Sequence, residues 1–402
     1  MKKLLSMLLA LIFCFGTLIS CGNEESSSSQ SETDDESSSQ SEESNASLSV
    51  AELEYAFLSS SSVEVSIGTA NYLEEIVIPE EYNGARVMRI AEDGFKNAEN
   101  LKKISIPDTV TSIGARAFED CRMLSSVDIS RNIAEVGEDA FKGCPIKTAS
   151  APSSVLSSLP KSSVEEVNIV GNFIIYEESM KDFEVLSTVT IPDGAVVFEG
   201  AFDNCLSLTN VQISENVKDV EVGAFKNCPL TEVSAPYHAL TGLPHDTVKK
   251  LTITTTDETG SMFYQFSRFT ALEEVTLPEG ITSIGRYFCF VNCHTIKRIN
   301  LPDTLVKIQI KAFENCTSLE TIEIPSSVEL ISTYAFNGCK SLKTITIPSS
   351  VTQIGRNTFV YCESLETINC EATKKPNGWN NDWLHRECTA TVNWGYVGGP
   401  SK

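Results

Sequence analysis

Apolar residues return along this chain in a fixed order. From Leu319 to Leu365 two copies of one unit stand back to back, L-x-x-I-x-I-P-x-x-V-x-x-I-x-x-x-x-F-x-x-C. Ile324 recurs as Ile347, Phe336 as Phe359 and Cys339 as Cys362. A repeat of this length is the mark of a solenoid. Within the unit, Ile322-Glu323-Ile324 alternates apolar, polar, apolar, which predicts a short half-buried strand. Pro325 lacks an N–H for the ladder and closes that strand. Val328 and Ile331 then turn inward again, and Ala335-Phe336 begins a short helical or 3₁₀ turn. Cys339 and Leu342 share the face of Phe336. One coil cannot bury its apolar edge alone, but stacked coils bury it against each other. The fold class expected is therefore a β-rich repeat solenoid with short helical turns. Its strands form one long, narrow parallel sheet along one face, capped at both ends.

Eight F-x-x-C pairs keep phase: Phe118/Cys121, Phe141/Cys144, Phe202/Cys205, Phe225/Cys228, Phe290/Cys293, Phe313/Cys316, Phe336/Cys339 and Phe359/Cys362. With the flanking I-x-I-P-x-x-V-x-x-I-G-x-x-A-F pattern, the chain resembles the bacterial leucine-rich repeat of the BspA type, over roughly residues 50 to 395. The resemblance implies a leucine-rich-repeat-like solenoid of a bacterial surface protein, with adhesion-like roles that include binding of matrix proteins.

The strand pairs are expected to begin at Ile104, Val127, Ala149, Val167, Val189, Val211, Val233, Leu251, Val275, Ile299, Ile322, Ile345 and Ile368. A longer period lies over this one. Cys144 to Ile169 matches Cys228 to Ile253, so residues 104–188 and 189–274 read as a duplicated four-coil block. In each block the third coil is short with Ala in its strand, and the fourth has Phe183 or Phe269 where Cys is usual. Residues 50–103 read as an N-terminal cap and first repeat. A hairpin runs from Leu53 to Ile67 across four serines, and Glu81-Tyr82-Asn83-Gly84 forms a turn insertion. Residues 104–367 are the solenoid proper, and 368–402, with Trp379, Trp383 and Trp394, a C-terminal cap. Aromatics there would shield the open end of the core; the rival reading is a carbohydrate-stacking patch.

The N-terminus changes the picture of where such a solenoid works. Lys2 and Lys3 precede an apolar run that is too short to span a bilayer. Leu18-Ile19-Ser20-Cys21 resembles a bacterial lipobox, which makes residues 1–20 a lipoprotein signal peptide and Cys21 the site of a diacylglycerol lipid. Residues 21–49 are almost entirely Ser, acidic and amide residues, a composition that cannot bury a core, and read as a disordered acidic tether. As a flexible coil it would hold the folded part roughly 30 Å from the lipid. These features place the protein on the extracellular face of the cell envelope, held to the membrane by its lipid.

The formal net charge is −23, from 54 acidic against 31 basic residues. That balance argues against nucleic acid as a partner. Thirteen cysteines in an exported chain would ordinarily suggest disulfides. Eight of them recur at one inward repeat position, however, and behave as a ladder of small buried thiols. Cys370 and Cys388, in the cap, are the pair weighed for a bridge, and Cys289 reads as an extra residue in a lengthened coil. The four histidines, His238, His245, His294 and His385, complete no catalytic or metal-binding motif. Neither catalysis nor a bound metal or cofactor is expected beyond the covalent lipid.

What a solenoid offers instead is surface. The outward residues of successive strands form a polar stripe that is rich in Thr and Asn and free of aromatics. In the C-terminal half it comprises Arg298, Asn300, Thr321, Glu323, Thr344, Thr346, Thr367 and Asn369. Threonine is a good strand former, so a plain solvated sheet is one reading. A face that hydrogen-bonds an extracellular protein or glycan is the other.

Overall fold

The computed structural model describes residues 52–171, 173–256, 265–285 and 289–398. Cys21, the signal segment and the tether lie outside them. Residues Leu48–Lys402 form one compact unit. Its core is a single continuous apolar cluster running from Leu53 to Trp383.

The first strands among the described residues are β1 (Glu54–Ser59) and β2 (Ser62–Ser66), an antiparallel hairpin where the sequence places one. β3 (Glu75–Val77) begins the principal ladder, and β4 (Glu81–Tyr82) with β5 (Ala85–Ile90) make a second hairpin. Its turn needs two left-handed residues, supplied by Asn83 at φ 50° and Gly84 at φ 78°. From β3 the ladder climbs through Lys103–Ser105, Ser126–Asp128 and so on to Thr321–Ile322, a twelve-stranded sheet. Each expected strand onset, from Ile104 to Ile368, is the inward second residue of an observed strand. In-register parallel pairing follows: Ile104 lies beside Val127, and Val275 beside Ile299. The solenoid with its parallel ladder is thus the fold that the repeat prescribes.

The sheet is not single, however. The ladder is interrupted after Thr321–Ile322 and resumes as a three-stranded sheet, Thr344–Ile347, Thr367–Cys370 and Thr391–Trp394. A second parallel ladder of two-residue strands runs along another side of the coils. It includes Ser112–Ile113, Glu135–Val136, Val196–Val197, Lys307–Ile308 and Gln353–Ile354. Two residues are too few to show alternation, so period-2 reasoning passes over them. This ladder breaks at the short third coils. There the 3₁₀ turns Leu156–Ser158 and Tyr237–Gly242 stand where other coils have a second strand.

The Phe-bearing turn corrects a second expectation, since it is neither helical nor 3₁₀ in the regular coils. In the coil of Phe118, the N–H groups of Arg116, Phe118 and Asp120 donate to Glu138, Ala140 and Lys142 of the next coil, at 2.8–2.9 Å. The alternate N–H groups close local turns onto Gly114, Arg116 and Phe118. A helix would direct all of them back along its own axis. Left-handed residues re-aim them here: Arg116 lies at φ 54° and Asp120 at φ 58°. Later coils repeat the device with Lys311 and Asn315, then Tyr334 and Gly338. Asn, Asp and Gly hold the second of these positions in most coils because they adopt φ > 0 at least cost.

The inward residues of this turn stack. Phe118 lies 5.3 Å from Phe141, Phe313 5.2 Å from Phe336, and Phe336 5.5 Å from Phe359 (centroid distances). Fully burying each ring contributes about 1.5–3 kcal/mol. Phe183 and Phe269 are buried at the Cys position, as the pattern indicates, with Met180 taking the ring's usual place before Phe183. Cys289 is not an extra residue. It occupies the position that Ala312 and Ala335 hold, and its carbonyl accepts the Phe266 N–H at 2.9 Å, as that of Ala140 accepts Phe118.

The C-terminal end is closed by tryptophan. Trp383 packs edge-on against Phe359, 6.1 Å away, and so ends the ring ladder. Trp379 donates its indole N–H to Val351 O at 2.9 Å and forms a bridge with Ile354. The Asp382 carbonyl accepts the Asn357 N–H at 2.8 Å, as the next coil would. Both rings are buried, which fits the capping reading; Trp394 stays 37% exposed.

Candidate functional site

The strands of the principal ladder sort their side chains by burial. In Thr344–Ile347 the first and third residues face out, and the second and fourth are buried. The same alternation runs through Thr188–Ile191 and Lys250–Ile253. The stripe is therefore a property of the sheet, with neighbouring coils placing like positions side by side: Glu274 beside Arg298, Thr276 beside Asn300, Arg298 beside Thr321.

The structure separates the eight candidate residues into four groups. Arg298, Thr321, Glu323 and Thr344 are exposed and make no side-chain hydrogen bond or ion pair among the described residues. Thr346 and Thr367 are half-buried. Asn300 is exposed but engaged, its amide donating to Thr276 Oγ1 at 2.9 Å and Glu274 Oε1 at 3.2 Å. Asn369 must be withdrawn from the face. The last strand, Thr391–Trp394, pairs over it, its side chain accepts the Asn393 amide at 3.0 Å, and it is 8% exposed. Among these eight, the free polar groups lie on three successive coils around the interruption between Thr321–Ile322 and Thr344–Ile347.

Aromatic surface exists, but off the stripe. Phe173 and Tyr176 are 50% and 57% exposed beside the second ladder, where Tyr176 lies parallel to Phe198 at 6.1 Å. Tyr176 and Phe198 follow Ile175 and Val197, at the position that Gly114, Gly137 and Gly355 hold in other coils. That departure from the repeat is legible in the sequence and was the available signal.

The eleven described cysteines are free thiols, and nine of them are buried. Cys144 Sγ donates to Phe118 O at 2.9 Å, Cys205 to Met180 O at 2.9 Å, and Cys316 to Phe290 O at 3.2 Å. Burial pushes the Cys293 and Cys316 thiols far above the usual thiol range. The bridge weighed between Cys370 and Cys388 is not formed. Cys370 sits inside the strand Thr367–Cys370, in register with Ile347 and Trp394, and burial raises its pKa to about 12. Cys388 lies in the turn after His385, its N–H bonded to the His385 carbonyl.

The histidines are dispersed. His238 donates Nε2 to Val217 O at 2.7 Å, His245 packs against the Phe269 ring, and His385 faces Glu387 at 3.8 Å. Desolvation holds the His245 imidazole below its ordinary pKa. A depression of about 450 Å³ beside the second short coil is lined by Val222, Phe225, Lys226, Asp246 and Thr247, among others, with no histidine in its lining. Among the described residues no cluster of His, Cys and carboxylates has the form of a metal site.

The repeat geometry has a counterpart among known families. The BspA type Leucine rich repeat region matches in six copies, over residues 88–182, 162–249 and 262–377. The chain belongs to the BspA-type leucine-rich repeat family. This BspA-type solenoid is similar to a leucine-rich repeat protein from Bacteroides ovatus, at 22% identity over 87% of this chain and 99% of that one, with a TM-score of 0.35. It is also similar to a leucine rich cell surface protein from Faecalibacterium prausnitzii, at 26% identity over 87% and 94%, with a TM-score of 0.28. The pneumococcal vaccine antigen PcpA aligns at 16% identity over 85% and 90%, with a TM-score of 0.33. No curated protein matches the chain. The family is built on a repeat scaffold, and no catalytic family is indicated.

Proposed function

We propose that this protein is a lipid-anchored, cell-surface recognition module whose solenoid binds an extracellular protein or glycan. Cys21 carries the lipid, the acidic segment after it is the tether, and the C-terminal half of the stripe is the binding face. The observation that carries this reading is the set of exposed polar groups on Arg298, Thr321, Glu323 and Thr344 that the protein itself leaves unengaged. Their hydroxyl, carboxylate and guanidinium groups suit hydrogen bonding to backbone amides or sugar hydroxyls, and Arg adds the geometry for carboxylates.

Two experiments test the reading. Surface-bound ligand should retain Leu48–Lys402, a single compact unit with one continuous core, and the substitutions Thr321→Lys, Glu323→Lys and Thr344→Lys together should abolish retention. Retention unchanged by the triple substitution moves the site off the stripe. Independently, Cys21→Ala should release the protein from the membrane fraction, and its persistence there without lipid label would refute the anchor. A non-catalytic spacer or self-associating envelope protein is the second reading, favoured by the exposed edge strand Glu54–Ser59.

A further inference from the structure

The N-terminal hairpin leaves one sheet edge open. β1 is the terminal strand of its six-stranded sheet, joined to β2 alone. In an antiparallel pair the bonded residues alternate, so half of its N–H and C=O groups turn away from β2. Among the described residues no backbone group meets them. Five of the six side chains of EYAFLS are exposed, Phe57 at 60% and Leu58 at 48%. The strand carries neither Lys nor Pro, the residues that usually guard an edge. Its irregularity, between Phe57 and Ser59, is confined to the hairpin tip.

From this we infer that β1 pairs antiparallel with β1 of a second copy of this chain, about a two-fold axis through Ala56. This deepens the self-association reading and is independent of ligand binding at the stripe. Symmetry limits the register. A residue whose backbone points outward must meet another of the same alternation, so the two-fold sets a residue against itself or against one an even number of places away. With Ala56 facing Ala56 of the second copy, Tyr55 meets Phe57, and Glu54 lies toward Leu58, where the strand is irregular. Each aromatic ring then gains a cross-strand aromatic neighbour, and no carboxylate opposes a carboxylate. Moving the axis to Glu54 would oppose two carboxylates. The contact is short of a standard interface, so the dimer forms only at high local concentration. Glu52, Glu54 and Glu64 of both copies lie near it, so raising salt, which screens their repulsion, tightens it.

Sedimentation of Leu48–Lys402 tests the inference. A monomer–dimer equilibrium that strengthens with salt is expected, with Ala56→Lys raising its dissociation constant at least tenfold while the far-ultraviolet spectrum is kept. Because facing Cα atoms lie about 4.5–5.5 Å apart, within disulfide range, Ala56→Cys should cross-link to itself under mild oxidation. Thr344→Cys, equally exposed, should not. A monomer at hundreds of micromolar, a dimer indifferent to Ala56→Lys, or cross-linking of Ala56→Cys no faster than of Thr344→Cys each overturns it. Ligand retention by the same variants reads the stripe separately, so the failure of one reading leaves the other measurable.

Discussion

The turn that carries Phe and Cys and the strand that carries the stripe belong to the same coil, yet they answer to different constraints. Phe313 touches Phe290 behind it and Phe336 ahead of it, and the Cys316 thiol reaches back to Phe290 O. A change there is felt in three coils. Thr321 and Thr344 face solvent, and their side chains meet no partner among the described residues. The repeat is strict where coils share a boundary and loose where only an outside molecule could impose a choice. Regularity therefore marks the scaffold, and departures from it mark where function can be written.

The sharpest way to break this comparison is to empty an inner position. Phe313→Ala should cost about 3–5 kcal/mol, because the rings on either side cannot close the cavity. Urea denaturation of Leu48–Lys402 measures it, and a loss below 1 kcal/mol would mean that the ring ladder is not what holds adjacent coils together. The backbone of the same turn should matter less. Asn97 sits at φ 58°, so Asn97→Ala should cost about 1–2 kcal/mol. Asn97→Gly should be near neutral, and equal losses from both would show that the Asn side chain matters more than its φ. Thiol accessibility divides the molecule along the same line. Of the eleven described cysteines only Cys362 and Cys388 are half-buried, so they should react with a thiol reagent in the native protein and the other nine only on unfolding. Rapid native labelling of Cys316 or Cys370 would contradict the inward ladder. At the small end, Glu323→Lys should shift stability by no more than about 0.5 kcal/mol, as an exposed substitution touching nothing.

Much of this architecture is legible in the sequence because stacking imposes one identity on each inward position. The strand positions, the phase of Phe and Cys, the capping tryptophans and the short third coils all follow from that. What escaped the pattern has physical reasons. The second ladder uses strands of two residues, which carry no period. The Phe turn looks helical because Phe336, Cys339 and Leu342 are three apart, but left-handed residues such as Tyr334 and Asn315 turn its N–H groups to the next coil. Asn369 follows the stripe's alternation perfectly and is covered where Thr391–Trp394, whose sequence departs from the repeat, pairs parallel beside it and Asn393 bonds its side chain. Cys289 looked supernumerary because its coil is one residue longer ahead of it, although it fills an ordinary alanine position. The candidate face was legible as a stripe, but not which of its groups the protein leaves free, since that depends on side-chain pairing between coils.

The central claim is that the free polar groups between Arg298 and Thr344 are there for another molecule. The most direct test applies purified Leu48–Lys402 to arrays of matrix proteins, mucins and glycans, beside its Thr321→Lys, Glu323→Lys, Thr344→Lys variant. The account predicts saturable binding at micromolar affinity or better by the native protein, lost in a variant of unchanged stability. A clean blank with folded protein, or binding that the variant retains in full, would contradict it.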